Sequence, residues 1–252
     1  MSFCSGTYSK SIADGTWTAQ KLFSASAADG LQRKILYAPD VVGEEFGEYI
    51  FFGTGDRTNP AEIGMVNRFY AVKNDWSGAG TLDETDLVDV TDDLIQLGTE
   101  AQKLAVKTSL ENGKGWFIRL ENTGEKVVAS PRVYGGVVYF TTYTPDTAGG
   151  GGGDPCAAST VRGVARLYAV DYKTGASVAE FSSEIEFDGD GNMVDRGKKD
   201  RIIPIGTAIP SAPVIAILEN GAQIFIGVEG GIVSMPAIAT PDMYRYYWHQ
   251  IF

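Results

Sequence analysis

Ala129-Ser130-Pro131-Arg132-Val133-Tyr134-Gly135-Gly136-Val137-Val138-Tyr139-Phe140-Thr141-Thr142 is the stretch whose reading decides the fold class. A small residue and a proline open a short strand, a Gly-Gly pair turns the chain, and β-branched and aromatic residues make a second strand. That order predicts a β-hairpin. The proline suits the first position of a strand, where no ladder N–H is needed.

The pattern occurs twice more. Tyr37-Ala38-Pro39-Asp40-Val41-Val42 precedes Glu48-Tyr49-Ile50-Phe51-Phe52-Gly53-Thr54-Gly55, and Pro210-Ser211-Ala212-Pro213-Val214-Ile215-Ala216-Ile217 precedes Ala222-Gln223-Ile224-Phe225-Ile226-Gly227-Val228. Two copies continue into a third strand with a shared ending, Arg68-Phe69-Tyr70-Ala71-Val72-Lys73 and Arg166-Leu167-Tyr168-Ala169-Val170-Asp171. The third copy has Gly230-Gly231-Ile232-Val233-Ser234 there, and aromatic segments around Trp17, Trp116 and Trp248 close some units. Sheets of about four strands repeated with signature turns predict an all-β propeller.

The whole chain, 1–252, reads as part of a single propeller domain: an incomplete arc of about three to four blades. Insertions fall near 83–112, 145–163 and 184–200. The first is helical, with Leu97, Ala101, Leu104 and Thr108 proposed as one face and Gly113 as the stop. The second holds five consecutive glycines, Gly149 to Gly153, and predicts a mobile loop. Propellers close with about four to eight blades. The remaining blades are therefore expected from another polypeptide or a parent chain, and the arc alone is expected to be poorly soluble or oligomeric.

Composition narrows the function classes. Hydrophobic residues make up 44% and charged residues 21%, an ordinary globular balance. A net charge of −11 argues against nucleic acid as a partner, because phosphate contacts need clustered Lys and Arg. No run approaches the roughly 18–20 apolar residues of a membrane helix. Met1 to Gly6 has neither a basic n-region nor an apolar h-region, so an export signal is expected on sequence outside this chain. Cys4 and Cys156 with the single His249 are too few and wrongly spaced for structural zinc. The two cysteines can pair with each other, pair elsewhere or stay as buried thiols.

Ser-x-Pro-x-Val, then Val-Tyr-Phe, then Leu167-Tyr168-Ala169-Val170-Asp171-Tyr172-Lys173-Thr174-Gly175 resembles the quinoprotein-like propellers. More specific stretches resemble the C-terminal domain of the PilY family. They are Tyr49 to Arg57, Asp86 to Thr91, Gly115 to Leu120 before Gly124-Glu125-Lys126-Val127, Asp154-Pro155-Cys156, and Tyr247-Trp248-His249-Gln250. The likeness runs in consistent order from about Trp17 to the C-terminus. It implies a pilus-associated, extracellular or cell-surface protein supporting type IV pilus assembly and adhesion, with pilin or minor pilins as partners.

Asp188-Gly189-Asp190-Gly191-Asn192-Met193-Val194-Asp195 is the candidate metal site. Asp188, Asp190, Asn192 and Asp195 offer oxygen ligands, and the glycines permit a tight loop, as calcium requires. The family resemblance also points to calcium. Position twelve is Lys199 rather than the bidentate Glu of an EF-hand, and position nine, where the family loop ends on an acid, is Arg196. The other reading is a solvated hairpin turn, since Asp-Gly and Gly-Asn are turn formers.

Catalysis finds little support. Any Ser-His-Asp or Cys-His mechanism must use His249, and its aromatic neighbours favour a structural strand. Gly53-Thr54-Gly55-Asp56-Arg57 lacks the Lys-Ser/Thr of a phosphate loop. The chain is read as a non-enzyme. The alternatives are a quinone- or sugar-active propeller enzyme, or a periplasmic propeller scaffold. A central channel lined by acids, Arg and tryptophan would favour the enzyme; an exposed apolar blade face would favour the interaction protein.

Overall fold

The structure, a computed structural model, describes residues 2–3, 21–25, 30–31, 33–75, 80–146 and 163–238. Cys4, Cys156, His249, Trp17, Trp248 and the glycine run 149–153 lie outside those residues.

Two short strands, β1 (Ser2–Phe3) and β2 (Phe23–Ser24), pair antiparallel. The first blade holds β3 (Asp40–Glu44), β4 (Gly47–Gly53), β5 (Arg68–Asn74), β6 (Val88–Asp89) and β7 (Gly115–Arg119). Their order is β3-β4-β5-β7-β6, antiparallel except for β6, which runs parallel to β7 at the edge.

The second blade contains β8 (Lys126–Val127), β9 (Arg132–Tyr134), β10 (Val137–Thr144) and β11 (Val164–Asp171). Both β8 and β9 pair with β10, at Thr142–Tyr143 and Val137–Tyr139 respectively. Pro131 lies in the gap between them, so the first strand is split where the ladder N–H is missing. The β9–β10 turn is Gly135 and Gly136, with φ of 58° and 83°. Positive φ at both central residues is what a type I′ hairpin needs. The chain then makes a small hairpin, β12 (Glu186–Phe187) with β13 (Met193–Val194), before β14 (Ile202–Gly206) closes the blade against β11. The third blade has three strands, β15 (Val214–Leu218), β16 (Gly221–Val228) and β17 (Gly231–Pro236). All three predicted hairpins are present, and among the described residues no sheet closes on itself.

The blades stack face to face, as period-2 alternation requires. Phe69, Trp116, Phe140 and Tyr168 fill the space between blades one and two, with Phe69 and Phe140 stacked at 3.8 Å. Val137, Tyr139, Leu167 and Ala169 point the other way, onto Ile224 and Ile226 of the third blade.

The helical insertion is present, but the face that the spacing marked is its solvent side. It carries α1 (Leu94–Leu97) and α2 (Glu100–Asn112), the latter opened by a capping box between Thr99 and Gln102. Leu104 is 67% exposed, and Ala101 and Thr108 face solvent with it. Val106 and Leu110 turn inward onto the first core instead. Packing against β6 and β7, rather than the helix's own weak amphipathicity, chooses the face.

Candidate functional site

The Asp188–Asn192 segment is a tight turn between β12 and β13. Asp188 donates its N–H to the Asn192 carbonyl at 2.8 Å, and Gly191 donates to the Asp188 carbonyl at 2.9 Å. The Asp188 carboxylate is 3% exposed. Its Oδ1 accepts the backbone N–H groups of Asp190 and Asn192, at 3.0 and 2.8 Å. Its Oδ2 accepts from Lys103 Nζ of α2 at 2.8 Å. Asp190 Oδ2 in turn accepts the backbone N–H of Glu100 at 2.8 Å, in the first turn of α2.

Carboxylate oxygens of Glu100, Asp188 and Asp190 lie within 4.8 Å of one another. Two of the four predicted ligands are thus brought together. Asn192 joins by donating its amide to Asp188, at 3.3 Å to Oδ1, so it is a partner of the carboxylate. Asp195 is exposed just past β13 and stands outside the cluster. Glu100 was missed, because nothing local links it to a loop 90 positions away.

Lys103 sits inside this group, 2.9 Å from Glu100 Oε1 as well as 2.8 Å from Asp188. Its ammonium, with the Asn192 N–H next, holds the Asp188 carboxyl well below the usual carboxylate range. The same two carboxylates, Asp188 first, hold Lys103 above the ordinary lysine value. The donors are of the type a hard cation takes. The position is held by an ammonium, which a metal ion would have to displace.

Two further basic residues tie the same insertions together. Lys198 reaches Asp92 at 3.1 Å and Glu121 at 2.7 Å. Arg201 and Asp93 meet at 3.1 Å with side chains only 2% and 1% exposed. Arg201 Nη1 also donates to the Thr91 carbonyl at 3.0 Å. Burial pushes the Asp93 carboxyl up, and the Arg201 guanidinium opposes it. The insertions near 83–112 and 184–200 are therefore one layer.

The other candidate is a cleft of about 710 Å³ whose lining includes Tyr37, Arg57, Ser130, Ser211, Ala212 and Glu229. Tyr37, Ser130 and Ala212, which stand one or two positions ahead of Pro39, Pro131 and Pro213, all line it, so each hairpin contributes the residues that lead into its first strand. Its chemistry is sparse. Ser211 Oγ donates to the Ala212 carbonyl and accepts the Gly227 N–H, so the hydroxyl is engaged in structure.

Neither a family model nor a curated protein matches the chain. Among solved structures, the crystal structure of the Pseudomonas aeruginosa PilY1 C-terminal domain superposes with a TM-score of 0.54. The match covers 87% of this chain at 14% identity. In fold, the chain resembles the PilY1 C-terminal domain. It spans about half the length of the PilY1 domain, 48%. Three stacked blades are the geometry expected of part of a propeller. The arc thus carries two features of interest, an acidic cluster clasped by Lys103 and the cleft ahead of the three hairpins.

Proposed function

We propose that this chain is an exported, type IV pilus-associated structural and interaction protein. The carrying observation is the fold match to the PilY1 C-terminal domain over 87% of the chain. The ordered sequence signatures from Trp17 onward support the same reading. On this reading the arc supports pilus assembly and adhesion through contacts with pilin or minor pilins. None of the described helices is long and apolar enough to cross a membrane.

A role without catalysis is favoured by the cleft. Its named lining offers one guanidinium, Arg57, and one carboxylate, Glu229, with Ser211 tied into the backbone. Quinone or sugar chemistry calls for more than that set. Deleting the coding sequence in the producing cell tests the function. Surface pili counted by electron microscopy should fall, and re-expression of the chain within its native polypeptide should restore them. Unchanged pilus number and unchanged adherence would overturn the proposal.

Calcium is a second reading of the clasp, favoured by the three convergent carboxylates of Glu100, Asp188 and Asp190. The ion would take their oxygens as Lys103 swings aside. Competition with the ammonium makes this a weak site, in the roughly 10⁻⁴–10⁻³ M range of extracellular modules.

A further inference from the structure

The two ends of the arc differ. On the far side of the first blade, Ile50, Phe52, Tyr70 and Val72 are at most 2% exposed. Phe23, Ala25, Leu82 and Leu87 cover them and are themselves buried. That end is sealed.

Among the described residues, nothing seals the far side of the third blade in the same way. Ile224 and Ile226 of β16 are fully buried against the second blade. Alternation along the strands puts Val214, Leu218, Phe225 and Ile232 on the opposite face. The register agrees, pairing Val214 with Phe225 and Gly227 with Ile232. Val214 is 58% exposed, Leu218 46% and Ile232 72%. Among the described residues β17 pairs only with β16, so this blade has three strands where the first has five.

We infer that this face docks the next blade of a propeller: an antiparallel sheet with an aliphatic and aromatic face, carried by polypeptide outside this chain. The inference rests on the PilY-like arc, not on the pilus role. Two observations converge on it. The face has the alternating apolar pattern that the two filled blade interfaces use, and the chain spans 48% of the solved domain. A second copy of the chain fits worse. Joining head to tail would press this face onto the first blade's sealed end. A face-to-face pair would bring together two chains of net charge −11.

Site-specific photocrosslinking in the producing cell tests the inference. A benzoylphenylalanine is placed at Val214, at Ile232 and, as a control, at exposed Leu104 of α2. Adducts are then mapped by mass spectrometry. Val214 and Ile232 should give an adduct, absent at Leu104, within a proline–strand–turn–aromatic-strand repeat of other polypeptide. Adding Ile232→Asp to the Val214 variant should reduce that adduct at least tenfold, while circular dichroism stays unchanged. Adducts to a second copy, to sequence without such a repeat, or none above the control would each overturn it. Pilus number plays no part in the readout, so failure here is separable from failure of the pilus role.

Discussion

Lys103 in α2 places its ammonium 2.8 Å from the carboxylate of Asp188, 85 positions further along the chain, and that carboxylate is 3% exposed. This contact fastens the acidic hairpin to the helix and turns two insertions into one layer. It also decides what the acidic loop can do, because the buried carboxylate that a metal would need is already paired with an ammonium.

Asp188→Asn should therefore lower the melting temperature and speed proteolysis between residues 184 and 200. The pH dependence follows from the shifts. Asp188's folded pKa is depressed, so its stabilisation is whole above the unfolded value of about 3.9 and is lost as pH falls through the folded value. Lys103's is raised, so its share is whole below about 10.4 and lost as pH rises through the folded value. The difference between wild type and Asp188→Asn should be flat from about pH 5 to 9 and should vanish in strong acid. Melting curves across that range check it.

Calcium titration calorimetry separates the clasp from a metal site. Lys103→Met should strengthen binding, since the competing ammonium is gone, and Asp190→Ala should abolish it. Absent binding in both wild type and Lys103→Met would remove the calcium reading.

The Arg201–Asp93 pair should behave as a buried ion pair. Removing one partner strands the other charge, so Arg201→Met should cost about 3–5 kcal/mol. Asp93 has φ of +51°, which Asn tolerates, so the double variant Arg201→Met with Asp93→Asn should recover most of the loss. Equilibrium urea denaturation of the three proteins gives the comparison.

Phe140 is stacked between Phe69 at 3.8 Å and Tyr168 at 4.5 Å, and it links the first two blades. Phe140→Ala should cost about 3–5 kcal/mol. A loss below about 1 kcal/mol by denaturation would show that the blades do not depend on this stack.

Much of the fold was legible because the signals are local. Pro131, the Gly135-Gly136 turn and the Val137-to-Thr142 alternation specify a hairpin within 12 positions, and the two sister stretches do the same. The fourth strand of the second blade was not read, since Ile202 to Gly206 carries Pro204 and follows an acidic segment that reads as loop. The helix was placed correctly, but the spacing that marked it runs along its solvent side, with Leu104 67% exposed. Of the candidate site, Asp188 and Asp190 were found from oxygen spacing. Glu100 and Lys103 were out of reach, because a helix surface carries no mark of which distant loop will land on it.

By itself, then, the sequence determined the three hairpins and the third strands that follow them. Those follow from period-2 patterning and turn chemistry, which act over a few residues. Only the tertiary structure decided how the insertions join, that the acidic loop answers to Lys103, and that one end of the arc is sealed. These depend on pairs such as Arg201–Asp93 and on Phe23 and Leu82 covering the first blade, contacts between residues far apart in the chain that no local pattern encodes.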